Sequence, residues 1–215
     1  MLFLHTQVWA ESLPRLHADD QQLSVSGISS GGYMTVQLHV AFSSQFRGAG
    51  VIAGGPYLCS GGNLTTAFQR CVDMHMPFPF SYRGPPNAAD IQAMVAQTRQ
   101  LAAQRVIDDP ASLRSSRVYL FSGTEDTTVP PAIMASLEQY YRAFVDPANI
   151  RRDFDVPASH AVVTLNTDRA CSATGAPYLT RCGTYDQAHI ILEHIYGPLN
   201  PRRTRVEENM ISFDQ

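Results

Sequence analysis

The sequence predicts an α/β fold built on a parallel sheet, and three features carry that prediction. Short strand-like segments alternate with helical ones between Leu23 and Tyr196, and no internal repeat interrupts the alternation. The stretch Gly48-Ala49-Gly50-Val51-Ile52-Ala53-Gly54-Gly55-Pro56 is a small and apolar run of the kind that parallel strands bury on both faces. At 215 residues the chain fits one domain, long enough to enclose a substantial core.

The elements follow in order. Leu23-Ser24-Val25-Ser26-Gly27-Ile28 alternates apolar and small polar residues, as a short strand does. Tyr33 to Phe42 places Met34, Val36, Leu38 and Phe42 among good helix formers, so a helix follows at once. Between the two lies Gly27-x-Ser29-x-Gly31. In a strand–turn–helix context such a pentapeptide forms a nucleophile elbow, with glycines where the turn leaves no room for Cβ atoms. The Gly48–Pro56 strand comes next and ends in a glycine loop. Tyr57 to Pro86 shows no period and is rich in Gly, Pro, Cys and aromatics, so it reads as a functional or stapled loop. Within it Met74, Met76, Phe78, Phe80 and Tyr82 suit either the core or an apolar substrate surface, core being the expectation for any one of them. Ala88 to Ile107 is a helix with Asp90 in its first turn. Arg117 to Gly123 is a strand, Pro130-Pro131 opens a helix over Ala132–Phe144, and Ile150 to Val156 is a more polar strand expected near an edge. Ser159-His160 follows it, and a last helix spans Tyr185–Tyr196 before Gly197-Pro198.

Composition narrows the chemistry. All 16 basic residues are arginine, which removes lysine Schiff bases, Ser–Lys dyads and Walker-type phosphate loops. A net charge of −3 and 44% apolar residues indicate neither disorder nor a nucleic-acid partner. Four cysteines form two sequence-local pairs, Cys59 with Cys71 and Cys171 with Cys182. Bridges at those pairs would each add roughly 3 kcal/mol in the chain-entropy account and point to an oxidising compartment, secreted or periplasmic. The alternative is four buried thiols. No C-x-x-C pair or zinc-finger histidine spacing is present, so no metal and no cofactor are expected. Residues 1–12 resemble a remnant of a secretory leader, with Val8-x-Ala10 like a cleavage site, ahead of a catalytic domain over residues 13–215. No run is long enough to span a membrane as a helix.

Acyl-transfer serines need a base for the hydroxyl proton and a carboxylate to orient that base. In α/β-hydrolases the three arrive in the order Ser, Asp/Glu, His, each in a loop after a strand. Here Ser29, Asp126 in Gly123-Thr124-Glu125-Asp126, and His160 stand in that order and setting. Adjacent strands lie ~4.8 Å apart, so the tips of the first and third are ~10 Å apart, a gap an imidazole can bridge. Ser30 lacks the central elbow position, and its backbone N–H is instead the first oxyanion donor. Glu125 is the weaker acid by spacing to Val129-Pro130. Asp153 and Asp155 fall inside a strand and are expected to be solvated, His75 precedes the acid, and His189 and His194 lie within a helix.

With those residues in place, the chain resembles the single-domain, circularly permuted poly(3-hydroxybutyrate) depolymerases, secreted serine esterases of the α/β-hydrolase fold. The matching segments are Val25 to Met34, Ala53-Gly54-Gly55-Pro56-Tyr57, Gly123 to Asp126, Ser159-His160, Cys171 to Cys182 with Pro177-Tyr178 inside it, and Asn200-Pro201. The resemblance implies hydrolysis of short-chain 3-hydroxyalkanoate esters, with Ser29 as nucleophile, His160 as base and Asp126 as orienter, and it implies both disulfides. In that family further strands follow the histidine, and one brings a second oxyanion donor in a His-Gly-Cys segment. This chain reaches Phe213-Asp214-Gln215 without one. The expectation is therefore a sheet of about four strands that lacks the C-terminal ones, with the nucleophile strand on an exposed edge. Loss of one oxyanion donor costs roughly 10²–10³ in turnover. Such an edge would favour self-association. The expected partner is a polyester or small ester, with no nucleic acid and no membrane. Two alternatives remain: an esterase for soluble short-acyl or feruloyl esters, or an impaired fragment that binds polymer or a complementing chain.

Overall fold

A computed structural model describes residues 19–201 of the chain. The leader-like segment and the final residues discussed above lie outside that range.

Four parallel strands form the sheet in the order β1 (Leu23–Ile28), β2 (Phe46–Ile52), β3 (Arg117–Phe121) and β4 (Ile150–Asp153). Sequential order in space means that each connection crosses over and returns to the same end, as parallel pairing requires. The register aligns the strand ends in one row: Ile28 beside Ile52, Ile52 beside Phe121, and Phe121 beside Asp153. The loops that follow all four strands therefore emerge side by side. Among the described residues nothing pairs with the outer edge of β1.

Among the described residues five α-helices complete the frame: α1 (Ser30–Ala41), α2 (Leu64–Thr66), α3 (Ala88–Ala103), α4 (Pro131–Tyr141) and α5 (Gln187–Tyr196). β3 shows how the layers form. Val118 and Leu120 face one way and pack with Val36 and Val40 of α1, Ile91 and Val95 of α3, and Leu137 and Tyr140 of α4. Tyr119 and Phe121 face the other way, into a second cluster with Ile191 and Ile195 of α5. The two-residue period of the strand thus serves two apolar layers. At α3 the predicted acidic first turn is a full capping box. Asn87 accepts from the Ala89 and Asp90 amides, and Asp90 accepts from the Asn87 amide.

Several boundaries shift from the sequence reading, for local reasons. β2 ends at Ile52 because Ala53 takes a φ of 46°, which turns the chain out of the ladder. α3 stops at Ala103 rather than Ile107, since Arg105 enters the left-handed region at φ 60°. On α1 Val36 and Val40 are buried together with Gly32, Thr35 and His39, whereas Met34, and Phe42 at the C-cap, are exposed. Apolar spacing revealed the helix but not which stripe faces inward. The Tyr57–Pro86 region holds α2 and one wider helical turn over Ala67–Cys71. Met74, Met76 and Phe78 are exposed there, Phe78 by 79%, so these three belong to the surface rather than the core. A short parallel ladder, β5 (Val162–Val163) with β6 (Leu179–Thr180), was not expected. Two-residue strands carry no alternation that a sequence reading could detect. Both disulfides are formed, Cys59–Cys71 and Cys171–Cys182.

Candidate active site

Ser29 sits between β1 and α1 with φ 58° and ψ −123°, a conformation that residues with side chains rarely adopt. Its amide donates to the Ile52 carbonyl at 3.0 Å, which fixes the turn against the tip of β2. Ser29 occupies the N-cap of α1, yet its hydroxyl makes no capping bond, although serine at that position usually does. Ser29 lines the adjacent cleft. Close approach explains the glycines. A Cβ on Gly27 would lie 2.5 Å from the Gly31 carbonyl oxygen, and one on Gly32 would lie 2.8 Å from the Ile52 oxygen. Gly31, the last residue of the pentapeptide, meets no such obstacle. The spatial constraint therefore falls one residue later than the motif suggests. Ser30 opens α1, so its N–H belongs to the first-turn donors that have no intrahelical carbonyl.

Asp126 and His160 meet directly. His160 Nδ1 lies 2.8 Å from Asp126 Oδ2, with Asp126 3% and His160 8% exposed. The other carboxylate oxygen, Oδ1, accepts from the Thr128 and Val129 amides, each at 2.9 Å. A carboxylate can only accept, so Nδ1 donates, and a neutral ring keeps Nε2 free to take a proton. Backbone bonds hold the two loops together: Thr124 to the Val156 carbonyl at 2.9 Å and Glu125 to the Ala158 carbonyl at 3.1 Å. Gly123 permits this, because a Cβ there would sit 2.0 Å from the Ala158 oxygen. Ser159, beside the histidine, is tied to the second disulfide loop through its amide to the Cys171 carbonyl at 3.2 Å and its hydroxyl to the Ala173 carbonyl.

Ser29 reaches the same strand edge but makes no hydrogen bond to His160 among the described residues. The two parts are linked through Val129, which lines the cleft beside Ser29 while its amide holds Asp126. That cleft encloses about 610 Å³ and is walled by Met34, Pro56, Leu58, Val72 and Met74, with the Cys59–Cys71 bridge in its side. Tyr33 braces it by donating to the Cys71 carbonyl. Burial, with Tyr82 and Asp126 nearby, pushes the Tyr33 phenol up, so that it remains a donor.

The other polar candidates lie elsewhere. Asp153 is not solvated as expected: it pairs with Arg151 and accepts from the Tyr185 hydroxyl at 2.5 Å. His194 meets the Asn149 carbonyl at 3.0 Å, and burial lowers its pKa. His189 is exposed beside Glu193. Among the described residues no group of three His, Cys, Asp or Glu side chains is placed to hold a metal ion, and no helix is long and apolar enough to cross a membrane. Two residues inside the segments that carry the resemblance were given no place at the site. Tyr33 was legible in principle, one helical turn after Ser29. The position of Tyr178, whose ring centre lies 6.3 Å from that of His160, left no local signal because 18 residues of sequence separate the two.

A parallel sheet flanked by helices, with a strained serine at the first strand tip and a buried His–Asp pair on the same edge, defines an α/β-hydrolase-like protein. Comparison with known proteins narrows this: the chain is homologous to the poly(3-hydroxybutyrate) depolymerases. It is 44% identical to poly(3-hydroxybutyrate) depolymerase of Delftia acidovorans over 209 residues, covering 96% of this chain and 40% of the relative. It is 35% identical to polyhydroxybutyrate depolymerase of Talaromyces funiculosus over 217 residues, 97% of this chain and 58% of that one. The crystal structure of PHB depolymerase from Penicillium funiculosum aligns with a TM-score of 0.73 at 34% identity, over 87% of this chain and 55% of that one. A PHB depolymerase complexed with an R3HB trimer aligns at 0.76 and 34% identity, over 91% and 57%. The chain spans about half the length of the curated relatives it matches. No protein-family model matches it.

Proposed function

We propose that this chain carries the catalytic residues of a serine esterase that cleaves 3-hydroxybutyrate-type polyesters. Ser29 is the nucleophile, His160 the base, Asp126 the residue that orients the base, and the Ser30 N–H the oxyanion donor. The observation that carries the reading is a serine in elbow geometry on the same strand edge as a buried, hydrogen-bonded His–Asp pair whose imidazole keeps Nε2 free. In the reaction Ser29 Oγ attacks the ester carbonyl as its proton passes to His160 Nε2. The imidazolium then donates that proton to the leaving alkoxide. Water, activated by the same nitrogen, releases the acid from Ser29. A serine–imidazole contact that closes fully only with substrate is common in ligand-free hydrolases. The substrate class rests on the homologues and on the apolar cleft beside Ser29, which suits a polyester with little hydrogen-bonding capacity. Two disulfides fit an oxidising, extracellular or periplasmic setting.

A fluorophosphonate probe tests the assignment. Ser29 is expected to be labelled in the unaltered chain and Ser29→Ala to abolish the label. An unlabelled wild-type chain, or labelling that persists in Ser29→Ala, removes the reading.

A further inference from the structure

We infer that Tyr178 forms the wall against which the alcohol part of the ester is held, making it a specificity-determining residue on the leaving-group side of the site. This rests on the esterase reading above. Three observations lead to it.

Tyr178 is presented to the histidine by a dedicated piece of structure. Val162 of β5 pairs with Leu179 of β6, and the Val162 amide donates to the Tyr178 carbonyl at 2.9 Å. The ladder therefore begins just beyond His160 on one strand and just beyond Tyr178 on the other. The Cys171–Cys182 bridge closes the segment that carries the tyrosine. Tyr178 itself has a φ of 57°, unusual for an aromatic residue and sustained by an amide bond to the Gly175 carbonyl at 3.0 Å.

The ring is not consumed by the core. It is 49% exposed while it stands nearly perpendicular to the His160 imidazole, at 84° and 6.3 Å between centres. A half-exposed aromatic side chain beside a buried catalytic ring offers a face to whatever approaches that ring.

The chemistry then sets which part of the substrate this is. The imidazolium must hand its proton to the departing oxygen, so the alcohol leaves on the histidine side. The apolar cleft is lined by Ser29, Met34, Leu58 and Met74, with neither His160 nor Tyr178 in its lining. The acyl unit occupies that cleft, and the alcohol unit passes over Tyr178.

The experiment uses esters of one acyl group, 3-hydroxybutyrate, with alcohols of increasing size: methanol, a nitrophenol, and a second and third hydroxybutyrate unit. Acylation and deacylation rates are measured for the full chain, for Tyr178→Ala and for Tyr178→Phe. Tyr178→Ala is expected to lower acylation kcat/KM about tenfold for the large alcohols and under twofold for the methyl ester. Deacylation of the common acyl-enzyme should not change, because the alcohol has already left, and Tyr178→Phe should retain wild-type discrimination. A loss of equal size for every alcohol, or a change in deacylation, overturns the assignment. Fluorophosphonate labelling of Ser29 separates the failures. If the unaltered chain does not label, the esterase reading falls and this assignment with it. If Tyr178→Ala labels as wild type does, its rate pattern bears on Tyr178 alone. If Tyr178→Ala fails to label while wild type labels, the residue shapes the nucleophile itself and the proposed role is wrong.

Discussion

The two disulfide-closed loops are nearly equal in span, with cysteines 12 and 11 residues apart, but they serve the site in opposite ways. The Cys59–Cys71 loop is a wall. Its bridge lies in the side of the cleft, and the segment just after it exposes Met74, Met76 and Phe78. The Cys171–Cys182 loop is a buttress. It receives the Ser159 amide and hydroxyl and carries Tyr178 to the flank of His160. On the proposed function the wall loop offers substrate an apolar surface, and the buttress loop fixes one imidazole and sets the Tyr178 ring beside it. One kind of covalent closure would then support binding in the first case and chiefly the geometry of the histidine in the second. The two are separable in kinetics, since binding surfaces move KM and transition-state geometry moves kcat.

The sharpest way to break the buttress side is Gly123→Ala. The added Cβ would sit 2.0 Å from the Ala158 oxygen, so the acid loop and the histidine loop must part. A displacement near 1 Å at a catalytic group costs about 10² in rate. Gly123→Ala is therefore expected to lose about 100-fold or more in kcat, with a stability loss of roughly 3 kcal/mol, measured by ester turnover and chemical denaturation. Wild-type kcat in this variant would show that the loop contact is unimportant. Replacing the cysteines tests both sides together. Cys171→Ser with Cys182→Ser should lower kcat about tenfold or more, whereas Cys59→Ser with Cys71→Ser should mainly raise KM. Each pair should cost roughly 3 kcal/mol of stability. Identical kinetic patterns for the two pairs would end the distinction.

Both comparisons are cleanest near neutral pH, because the body beneath the loops is itself acid-sensitive. His39, on the buried face of α1, shares a 3.0 Å hydrogen bond with the Tyr141 hydroxyl, and burial lowers its pKa to about 3. Unfolded, a histidine titrates near 6.5. Between those values the unfolded chain binds a proton that the folded chain refuses. The contribution of His39 to stability is thus intact above pH ~6.5, is lost as pH falls toward 3, and changes no further below that. His39→Gln, whose amide can still meet Tyr141, should flatten the pH dependence of unfolding by nearly one proton over that window. An unchanged slope would contradict the burial argument.

What the sequence made legible was local. Gly27-x-Ser29 between an alternating strand and a helix is a contiguous signal, and Asp126 and His160 could be proposed because each lies in a loop that follows a strand, in a known order. The supporting contacts were not legible, since they join residues distant in sequence. Nothing near Gly123 announces that Ala158 will press against it, and nothing near Asp126 marks the Thr128 and Val129 amides as its partners. The approach of Tyr178 to His160 was hidden for the same reason, through a two-residue ladder too short to pattern. The core expectation fails at Met74, Met76 and Phe78, and the spacing of Met34 and Phe42 marked a helix without saying which face is covered. Around the cleft, Met34 and Met74 stay uncovered.

That uncovered surface supplies the smallest expected effect and the finest test of the wall loop. Phe78 is 79% exposed, so its ring contributes little to the fold, and Phe78→Ser should change stability by less than about 0.5 kcal/mol. The loop's proposed role is contact with an apolar polymer, so the same change should weaken adsorption to a polyester film. Turnover of a soluble nitrophenyl ester, which requires no contact with polymer, should stay within about twofold of wild type. A substitution that displaces His160 cannot give that pattern, because it slows every ester alike. Unaltered film adsorption in Phe78→Ser would confine the wall loop's role to the cleft itself, where Met74 and the Cys59–Cys71 bridge already form the surface.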